Sequence, residues 1–350
     1  MPAYKDKERG TWYASFYYTD WQGRRRLKKK RGFARKKDAE DFEREFLFSE
    51  ARSCDMTFGS LVEIYRADMR PRLRRNTMQT KDNILDHWVV PYFKDLPVNK
   101  ITSATVRAWQ TEVLKKGVSP TYARTINNQL SAVLNYAVRY YKLPKSPTRE
   151  AGSMGKKKTV PMDFWTVEEF NRFIQCVPNF SAEVAFSVLF WTGMRISELL
   201  ALTVGDVDFE RNTITIKKGF HTIEGEEVID DPKTDKSVRV IDIAPKLAAL
   251  LRRYVDGLYK PEADDRLFPY TKSAFYSWMK KGCERSGVKK IRVHDLRHSH
   301  ASWLINKRYP IIMISERLGH EDVQTTLRIY GHLYNKTTAE AVEDMENSML

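Results

Sequence analysis

Four short stretches of the chain place cationic or hydrogen-bonding side chains at the ends of predicted elements: "TGMRISELL", "DPKTDKSVRV", "HDLRHSHAS" and "RLGHED". The side chains concerned are Arg195 with Glu198, Lys233, His294 with Arg297, and His320. Residues three apart on a helix are neighbours, so the Glu198 carboxylate is within reach of the Arg195 guanidinium. Taken singly, each stretch is typical of a surface ion pair, a turn, a solvated helix face or a helix cap.

A fifth stretch, "TTLRIYGHLY" at residues 325–334, places Tyr330 and Tyr334 four apart and therefore on one face of a helix. An isolated aromatic pair at this spacing usually fills a core. The residues by themselves do not distinguish which of the two tyrosines would be reactive.

As a set, these side chains match the needs of phosphodiester chemistry. Cleavage without a metal needs a nucleophile, cations around the developing charge and an acid for the leaving oxygen. Arginines can hold phosphate oxygens, histidines can bond the phosphate or relay a proton, and a lysine can protonate a departing 5′ oxygen. A tyrosine can attack to give a phosphotyrosine that stores the bond energy, so that religation needs no nucleotide.

A metal site is the alternative for the histidines. Five of the seven lie between His294 and His332, and His294 and His298 have the i, i+4 spacing of helical metal ligands. However, Asp295 replaces the glutamate of a His-Glu-x-x-His site, and no cysteine cluster supports it. We therefore expect no metal and, because the sequence lacks a glycine-rich phosphate loop, no nucleotide cofactor.

The composition favours a nucleic-acid partner. The 60 Lys+Arg against 45 Asp+Glu give a net charge of +15, which attracts polyanions. An anionic membrane surface and a merely soluble basic protein are the alternatives. No run approaches the ~18 apolar residues of a membrane span, and "MPAYKDKERG" lacks a signal peptide's apolar stretch. Three scattered cysteines fit a reducing compartment, so we expect a cytoplasmic protein without membrane attachment.

Residues 1–52 are predicted to form a small domain of strands and one helix. "TWYASFYYTD" alternates with a period of two, "RRRLKKKRGF" follows a turn as a second strand, and "RKKDAEDFEREFLFSEAR" is helical. Ten basic residues and no acidic one lie between Arg24 and Lys37. A two- or three-stranded sheet with one basic face suits the DNA major groove. The alternatives are a lysine-rich edge that blocks aggregation and a nuclear-localisation-like run. The side chains assigned to DNA binding are Arg24, Arg25, Arg26, Lys28, Lys29, Lys30 and Arg31.

Residues 56–145 are predicted to be all helical. Apolar residues recur at three- and four-residue spacing in "MTFGSLVEIYRADM" and "SPTYARTINNQLSAVLNYAVRYY". Ser103 is the expected N-cap of the helix in "ITSATVRAWQTEVL". Residues 146–161 mix proline, glycine, serine and charge as linkers do.

Residues 162–350 are predicted to form a mixed, mainly α domain with a small antiparallel sheet. Thr166 and Glu169 make a capping box, and the helix "AEVAFSVLFW" ends at Gly193. "DVDFERNTITIKKGF" and "KSVRVIDIA" have the pattern of strands. The whole chain is therefore expected to be a multidomain α+β protein.

The order of these residues resembles that of the tyrosine recombinase, or phage integrase, family: Arg195, Lys233, His294-x-x-Arg297, His320, Tyr330. "TGMRISELLAL", "HDLRHSHAS" and "LGHEDVQTTLRIYGH" are similar to its motif boxes in sequence and spacing. The helical middle is more loosely similar to the family's core-binding, SAM-like domain. The basic start resembles the arm-type DNA-binding domain of integrases from temperate phages and conjugative elements.

The resemblance implies a role for each residue at the site. Arg195 and Arg297 would clamp the scissile phosphate, and His294 and His320 would complete its hydrogen bonding. Glu198 would orient the pocket.

The same resemblance implies the acid and the nucleophile. Lys233 would be the general acid, and Lys236 is its nearby competitor. Tyr330 would form a 3′-phosphotyrosine, and the family's spacing from "LGH" favours it over Tyr334.

The implied function is site-specific recombination that integrates or excises a mobile element. A homotetramer would act on core and arm attachment sites of double-stranded DNA, with a host DNA-bending protein and an excision factor as further partners. The tail "TTAEAVEDMENSML" would dock on a neighbouring protomer, or else be a disordered terminus. The alternatives are a type IB topoisomerase-like enzyme, which would cleave without sequence preference, and a non-catalytic DNA-binding regulator.

Overall fold

The computed structural model describes residues 3–6, 10–19, 25–50, 56–156, 163–223, 225–230, 238–331, 342 and 345–349. They belong to two compact units, Met1–Thr159 and Val160–Leu350. Helices and small antiparallel sheets make up the described elements, which confirms the predicted α+β class. Among these residues no helix is both long and apolar enough to cross a bilayer.

The first unit begins with a three-stranded antiparallel sheet and a helix. The elements are β1 (Ala3–Asp6), β2 (Thr11–Thr19), β3 (Arg25–Phe33) and α1 (Lys36–Glu50), and β2 is the central strand. Ala14 and Phe16 of β2 are buried and pack with Ala39, Phe42 and Phe46 of α1. The period-two pattern therefore correctly predicted a strand with one apolar face.

Gly32 determines which residues of β3 face α1. Trp12 pairs with Phe33, but Tyr13 pairs with Arg31, so Gly32 is the extra residue of a β-bulge. Its φ of +93° is a conformation that residues with a side chain rarely adopt. The bulge returns Phe33 to the apolar face while Arg31 stays on the opposite, open face.

A helical domain with its own apolar core follows in this unit. Its helices are α2 (Phe58–Met69), α3 (Arg75–Ile84), α4 (Val90–Phe93), α5 (Ser103–Lys115), α6 (Pro120–Tyr140) and α7 (Pro147–Ala151), with a π-helical turn at Leu85–Val89 and a 3₁₀ turn at Val98–Lys100. The predicted N-cap Ser103 is wrong, because Thr102 caps α5. Thr102 has extended backbone, and its hydroxyl accepts a hydrogen bond from the Thr105 N–H at 3.2 Å, while Ser103 is already helical.

The segment predicted as a linker, 146–161, begins inside this core. Helix α7 packs on α5 and α6, and the side chain of Met154 is buried with them. A Cβ on Gly155 would lie 2.0 Å from the Pro120 carbonyl oxygen, so the chain runs tightly against the start of α6. The prolines and glycines of this segment mark the start of a helix and tight turns. Composition alone does not distinguish such a packed segment from a flexible linker. Residues 157–162 lie outside the described part of the chain.

The second unit surrounds its own apolar core with helices and two small sheets. Its helices are α8 (Val167–Ile174), α9 (Phe180–Thr192), α10 (Ile196–Ala201), α11 (Pro245–Asp256), α12 (Lys272–Ser286), α13 (Asp295–Asn306), α14 (Ile311–Leu318) and α15 (Val323–Tyr330), with a 3₁₀ turn at Val204–Asp206. The strands are β4 (Val207–Asp208), β5 (Thr213–Ile216), β6 (Gly219–Ile223), β7 (Glu226–Asp230) and β8 (Arg239–Asp242), in sheets of order β4-β5-β8 and β6-β7. The predicted capping box starts α8: the Thr166 hydroxyl accepts from the Glu169 N–H, and the Glu169 carboxylate accepts from the Thr166 N–H.

Helix α9 packs at the centre of this second core. Apolar residues lie on every side of this helix and are mostly buried, and Phe190 stacks on Phe170 of α8 with ring centroids 3.9 Å apart. The helix ends at Gly193, whose φ of +68° confirms the predicted break. A Cβ at Gly193 would lie 2.7 Å from the His300 ring of α13. The turn that leads to Arg195 is therefore fixed by close packing.

Candidate active site

Arg195 stands at the turn between α9 and α10, with Glu198 one turn later, as predicted. Its Nη1 donates to Glu198 Oε1 at 2.7 Å, and its backbone N–H donates to Glu198 Oε2 at 2.8 Å. Its Nη2 lies 3.5 Å from the Gly319 carbonyl oxygen. The Glu198 side chain is 8% exposed and that of Arg195 is 34% exposed. The buried carboxylate thus orients a guanidinium that stays partly accessible.

Arg239, which the sequence reasoning missed, completes this network. It comes from β8, 41 residues from Glu198, and its Nη2 donates to Glu198 Oε2 at 2.8 Å in a buried ion pair. Its Nε donates to the Arg317 carbonyl oxygen at 2.9 Å. Burial alone would raise the pKa of Glu198, but the hydrogen bond and charge of Arg239, together with Arg195, lower it to about 2. Glu198 is therefore a fixed anion between two guanidinium groups.

Arg297 is carried into the interior by α13. It is 3% exposed, and its Nη1 donates to the Gly193 carbonyl oxygen at 2.9 Å. No atom of the described residues accepts a hydrogen bond from its Nη2. Burial, and then the nearby charge of Arg195, lower the pKa of Arg297 to about 9, which leaves it cationic at neutral pH. A buried guanidinium with an unused donor is suited to binding an oxyanion.

His294 is the N-cap residue of α13, three residues before Arg297, and His320 follows Gly319, whose carbonyl oxygen lies 3.5 Å from Arg195 Nη2. The charges of Arg297 and Arg195 act on both rings. Burial is the larger cause that lowers the pKa of both histidines, that of His320 to about 3. Both rings are therefore neutral near pH 7. His320 Nδ1 lies 2.7 Å from Thr326 Oγ1. When the hydroxyl donates this bond, the ring proton is on Nε2, where it can donate to a phosphate oxygen.

Tyr330 ends α15 and is 1% exposed. Its hydroxyl lies 2.5 Å from Nδ1 of His298 on α13. The charge of Arg297 acts on the phenol, so the predicted nucleophile lies in the same cluster as the predicted phosphate clamp. Burial raises the pKa of Tyr330 above its ordinary value, so the phenol holds its proton. The sequence reasoning named His298 only as a metal ligand, although its position directly after Arg297 was a usable signal.

The structure brings together six of the seven predicted site residues: Arg195, Glu198, His294, Arg297, His320 and Tyr330. The seventh, Lys233, lies outside the described residues. So do its competitor Lys236, the second tyrosine Tyr334 and most of the tail. Among the described residues, no group of three or more His, Cys, Asp or Glu side chains is placed to hold a metal ion.

The basic residues of β3 divide between the two faces of the N-terminal sheet. Lys29 is opposite Ser15 and Arg31 is opposite Tyr13, on the open face, whereas Lys28 is opposite buried Phe16. The open-face group is Arg25, Lys29 and Arg31, and the group on the α1 side is Arg26, Lys28 and Lys30. Arg24 lies outside the described residues. The predicted basic patch is therefore two groups with different surroundings.

Cations on both faces lie over aromatic rings. On the open face the Lys29 Nζ is 4.9 Å from the Tyr13 ring centroid, and on the other face the Lys30 Nζ is 4.5 Å from the Phe42 centroid of α1. These contacts hold the long side chains in place, with the charge of Lys29 on the open face and that of Lys30 against α1.

A polar groove of about 430 Å³ lies beside α6 in the helical domain. It is lined by Arg124, Asn127, Asn128, Ser131, Asn135, Thr148, Arg149, Gly152 and Ser153. Arg124, Asn128, Ser131 and Asn135 recur at helical spacing along one face of α6. Amide and guanidinium groups in such a row can contact phosphates and base edges.

Family profiles match three successive parts of the chain. The phage integrase family profile matches residues 163–337, the SAM-like N-terminal domain of phage integrases matches 57–114, and an arm DNA-binding domain matches 2–48.

Individual relatives agree with these profiles. The chain is 31% identical over 322 residues to the ICEBs1 integrase of Bacillus subtilis (strain 168), covering 87% of each protein. Its fold is similar to that of the Tn1549 transposon integrase bound to a circular intermediate DNA (TM-score 0.70, 22% identity, 84% of this chain and 100% of that one). It is also similar to the lambda integrase in a tetramer bound to a Holliday junction (TM-score 0.60, 16% identity, 92% and 96%).

Proposed function

Since the chain belongs to the phage integrase family of tyrosine recombinases, we propose how its residues perform site-specific DNA recombination. The observation that carries the proposal is the buried Arg297 guanidinium, which lies beside Arg195 and has an Nη2 donor without an acceptor among the described residues. A phosphodiester oxygen would accept that bond and offset the repulsion between the two arginines. Arg195 and Arg297 therefore clamp the scissile phosphate.

The two neutral histidines complete the phosphate site. His294 and His320 donate hydrogen bonds to the non-bridging oxygens, and the Thr326 hydroxyl on Nδ1 of His320 leaves Nε2 as the donor. Because the pKa values of both histidines are lowered, they act as dipolar donors before DNA arrives. The phosphate charge then raises those pKa values.

Tyr330 is the nucleophile of the proposed reaction. Its Oη attacks phosphorus, the bond from phosphorus to the 5′ oxygen breaks, and a 3′-phosphotyrosine forms. Lys233 protonates the departing 5′ oxygen, a role taken from its place in the family's motif order. The 5′ hydroxyl of a second strand reverses these steps, and the phosphotyrosine supplies the energy of the new bond.

The three parts of the chain divide the DNA contacts. We assign residues 1–52 to arm sites, and residues 56–145 with 162–350 to the core site. The open basic face of β3 and the polar row on α6 support this division. We extend to this chain the tetramer on a Holliday junction in which lambda integrase has been seen. A host DNA-bending protein and an excision factor are proposed as accessory partners in the cytoplasm.

A covalent-trapping experiment tests the proposal. A nicked duplex from the junctions of the mobile element lets the short cleaved fragment diffuse away and leaves the protein joined to DNA. The wild type should give an adduct that survives detergent, and Tyr330→Phe should give none while binding the duplex with nearly unchanged affinity. The result that refutes the nucleophile assignment is an adduct with Tyr330→Phe, or a collapse of its DNA affinity.

The same experiment separates the alternative functions. A recombinase cleaves only its own site, so an equally abundant adduct on a scrambled duplex would indicate a topoisomerase-like enzyme. Tight binding to the site without any adduct, in the full chain and under varied protein:DNA ratios, would indicate a DNA-binding regulator.

A further inference from the structure

His298 and Tyr330 form a buried hydrogen bond between α13 and α15. The distance from Nδ1 to Oη is 2.5 Å, the ring centroids are 5.6 Å apart, and the two residues are 8% and 1% exposed. This is the hydrogen bond that the Tyr330 hydroxyl makes among the described residues. A phenol with a single partner donates its proton when that partner is an unprotonated ring nitrogen.

The surroundings keep His298 in that unprotonated form. The titratable and charged groups that act on it or on the phenol are His294, Asp295, Arg297, Arg292, His320 and Tyr330. Burial, and then the neighbouring His294, lower the pKa of His298 to about 4. The charge of Asp295 offsets this only in part, and its carboxylate accepts from the backbone N–H, Nε and Nη2 of Arg292.

Strand cleavage requires that the Tyr330 proton leave. Burial favours the protonated phenol, and a protonated phenol is a weak nucleophile. The acid that protonates the departing 5′ oxygen acts on the other side of phosphorus and cannot take this proton. A base must therefore touch Oη, and His298 Nδ1 lies at hydrogen-bond distance from it.

We propose that His298 is a catalytic residue that accepts the phenolic proton of Tyr330 during cleavage and returns it during religation. The inference rests on the proposed function, in which Tyr330 is the nucleophile. As the bond from Oη to phosphorus forms, the proton moves from Oη to Nδ1 and gives an imidazolium. The bond from phosphorus to the 5′ oxygen breaks, and that oxygen takes its proton from the general acid. Religation moves the same proton from Nδ1 back to Oη, so no oxidant or further reactant is needed.

The test is the single-turnover rate of cleavage of the nicked duplex by His298→Gln. Glutamine keeps a hydrogen-bonding group but cannot take a proton at this position. The expected loss is ~10²–10³-fold in both the cleavage and the religation rate, within the range for general-base catalysis, with unchanged DNA affinity. The same substitution at exposed His87 of the helical domain is the matched control and should leave the rate unchanged.

Two further measurements distinguish a base from a structural residue. In the wild type the cleavage rate should fall as the pH drops through the pKa of His298, which is about 4 or higher. The Gln variant should lack this acid limb of the pH–rate profile. A substrate with sulfur in place of the bridging 5′ oxygen needs no general acid, because a thiolate leaves readily. It should restore cleavage to a Lys233→Ala variant and leave the His298→Gln defect in place.

Each outcome bears on a separate claim. If His298→Gln cleaves as fast as the wild type, or faster, the hydrogen bond only holds the Tyr330 side chain in position and the proposal is wrong. If the Gln variant unfolds, the pH dependence of wild-type cleavage on the sulfur substrate decides, because that substrate needs no general acid, and a flat acid limb overturns the proposal. The absence of any wild-type adduct would instead overturn the proposed function.

Discussion

Replacing Glu198 by glutamine removes the anion that links Arg195 to Arg239. The glutamine keeps the size of the side chain, but its amide N–H₂ would face guanidinium donors that need acceptors. Two cations, one of them 7% exposed, would then lie close together without a counter-charge. We expect a less stable protein and a displaced Arg195.

The size of the effect follows from the pKa of Glu198. Folding lowers it from an ordinary 4.5 to about 2, and each unit corresponds to about 1.4 kcal/mol. Glu198 therefore contributes ~3 kcal/mol to the free energy of unfolding at pH 7. Since the folded pKa is the lower one, this contribution is complete above pH 4.5. It decreases as the pH falls towards 2, and about 40% of it remains at pH 3.

Urea unfolding at pH 7 and pH 3 measures this directly. The matched control is Glu227→Gln, because Glu227 also pairs with an arginine, Arg266, at 3.1 Å, but its side chain is 62% exposed. An exposed pair contributes under ~1 kcal/mol. Single-turnover cleavage should also fall by ~10²-fold with Glu198→Gln, because an unanchored Arg195 no longer meets the phosphate in a fixed geometry. Equal stability losses for the two variants at pH 7, or a Glu198 loss that does not shrink at pH 3, would refute the reasoning.

Two further substitutions test the packing and the DNA contacts. Gly193→Ala should lower the free energy of unfolding by ~2–4 kcal/mol, since the new Cβ would lie 2.7 Å from the His300 ring and the backbone φ is positive. It should also slow cleavage, because it displaces the Gly193 carbonyl that accepts a hydrogen bond from Arg297. Urea unfolding measures the first effect and covalent trapping the second. Lys29→Ala should weaken arm-site binding and reduce the slope of log affinity against log salt by about one unit, whereas Lys30→Ala on the α1 side should leave that slope unchanged.

The controls for these two predictions lie in the same chain. Gly287 has a φ of +69°, but a Cβ there would meet nothing within 4 Å, so Gly287→Ala should show only the backbone strain of ~1 kcal/mol. A Gly193 variant no less stable than this one would mean that the His300 contact is not tight. Equal salt slopes for the Lys29 and Lys30 variants would mean that both faces of the sheet, or neither, contact DNA.

The sequence by itself determined the features that depend on neighbours along the chain. The capping box at Thr166 and the helix break at Gly193 follow from local backbone chemistry, and the alternation in β2 follows from the period of a strand. The order of the motifs also predicted the residues of the candidate site that the structure places close together. Even here a local choice between adjacent candidates was wrong, because Thr102 and Ser103 are both good caps and only the backbone conformation separates them.

Tertiary structure alone decided the contacts between distant residues. Arg239 meets Glu198 across 41 residues and His298 meets Tyr330 across 32, and no periodicity encodes either pair. The bulge at Gly32 decides which basic residues lie on the face opposite Phe33, because the one extra residue moves Phe33 from the face of Lys29 and Arg31 to that of Lys28 and Lys30. Burial then determines charge and proton position, since the pKa of a carboxylate or an imidazole depends on the groups that packing brings around it.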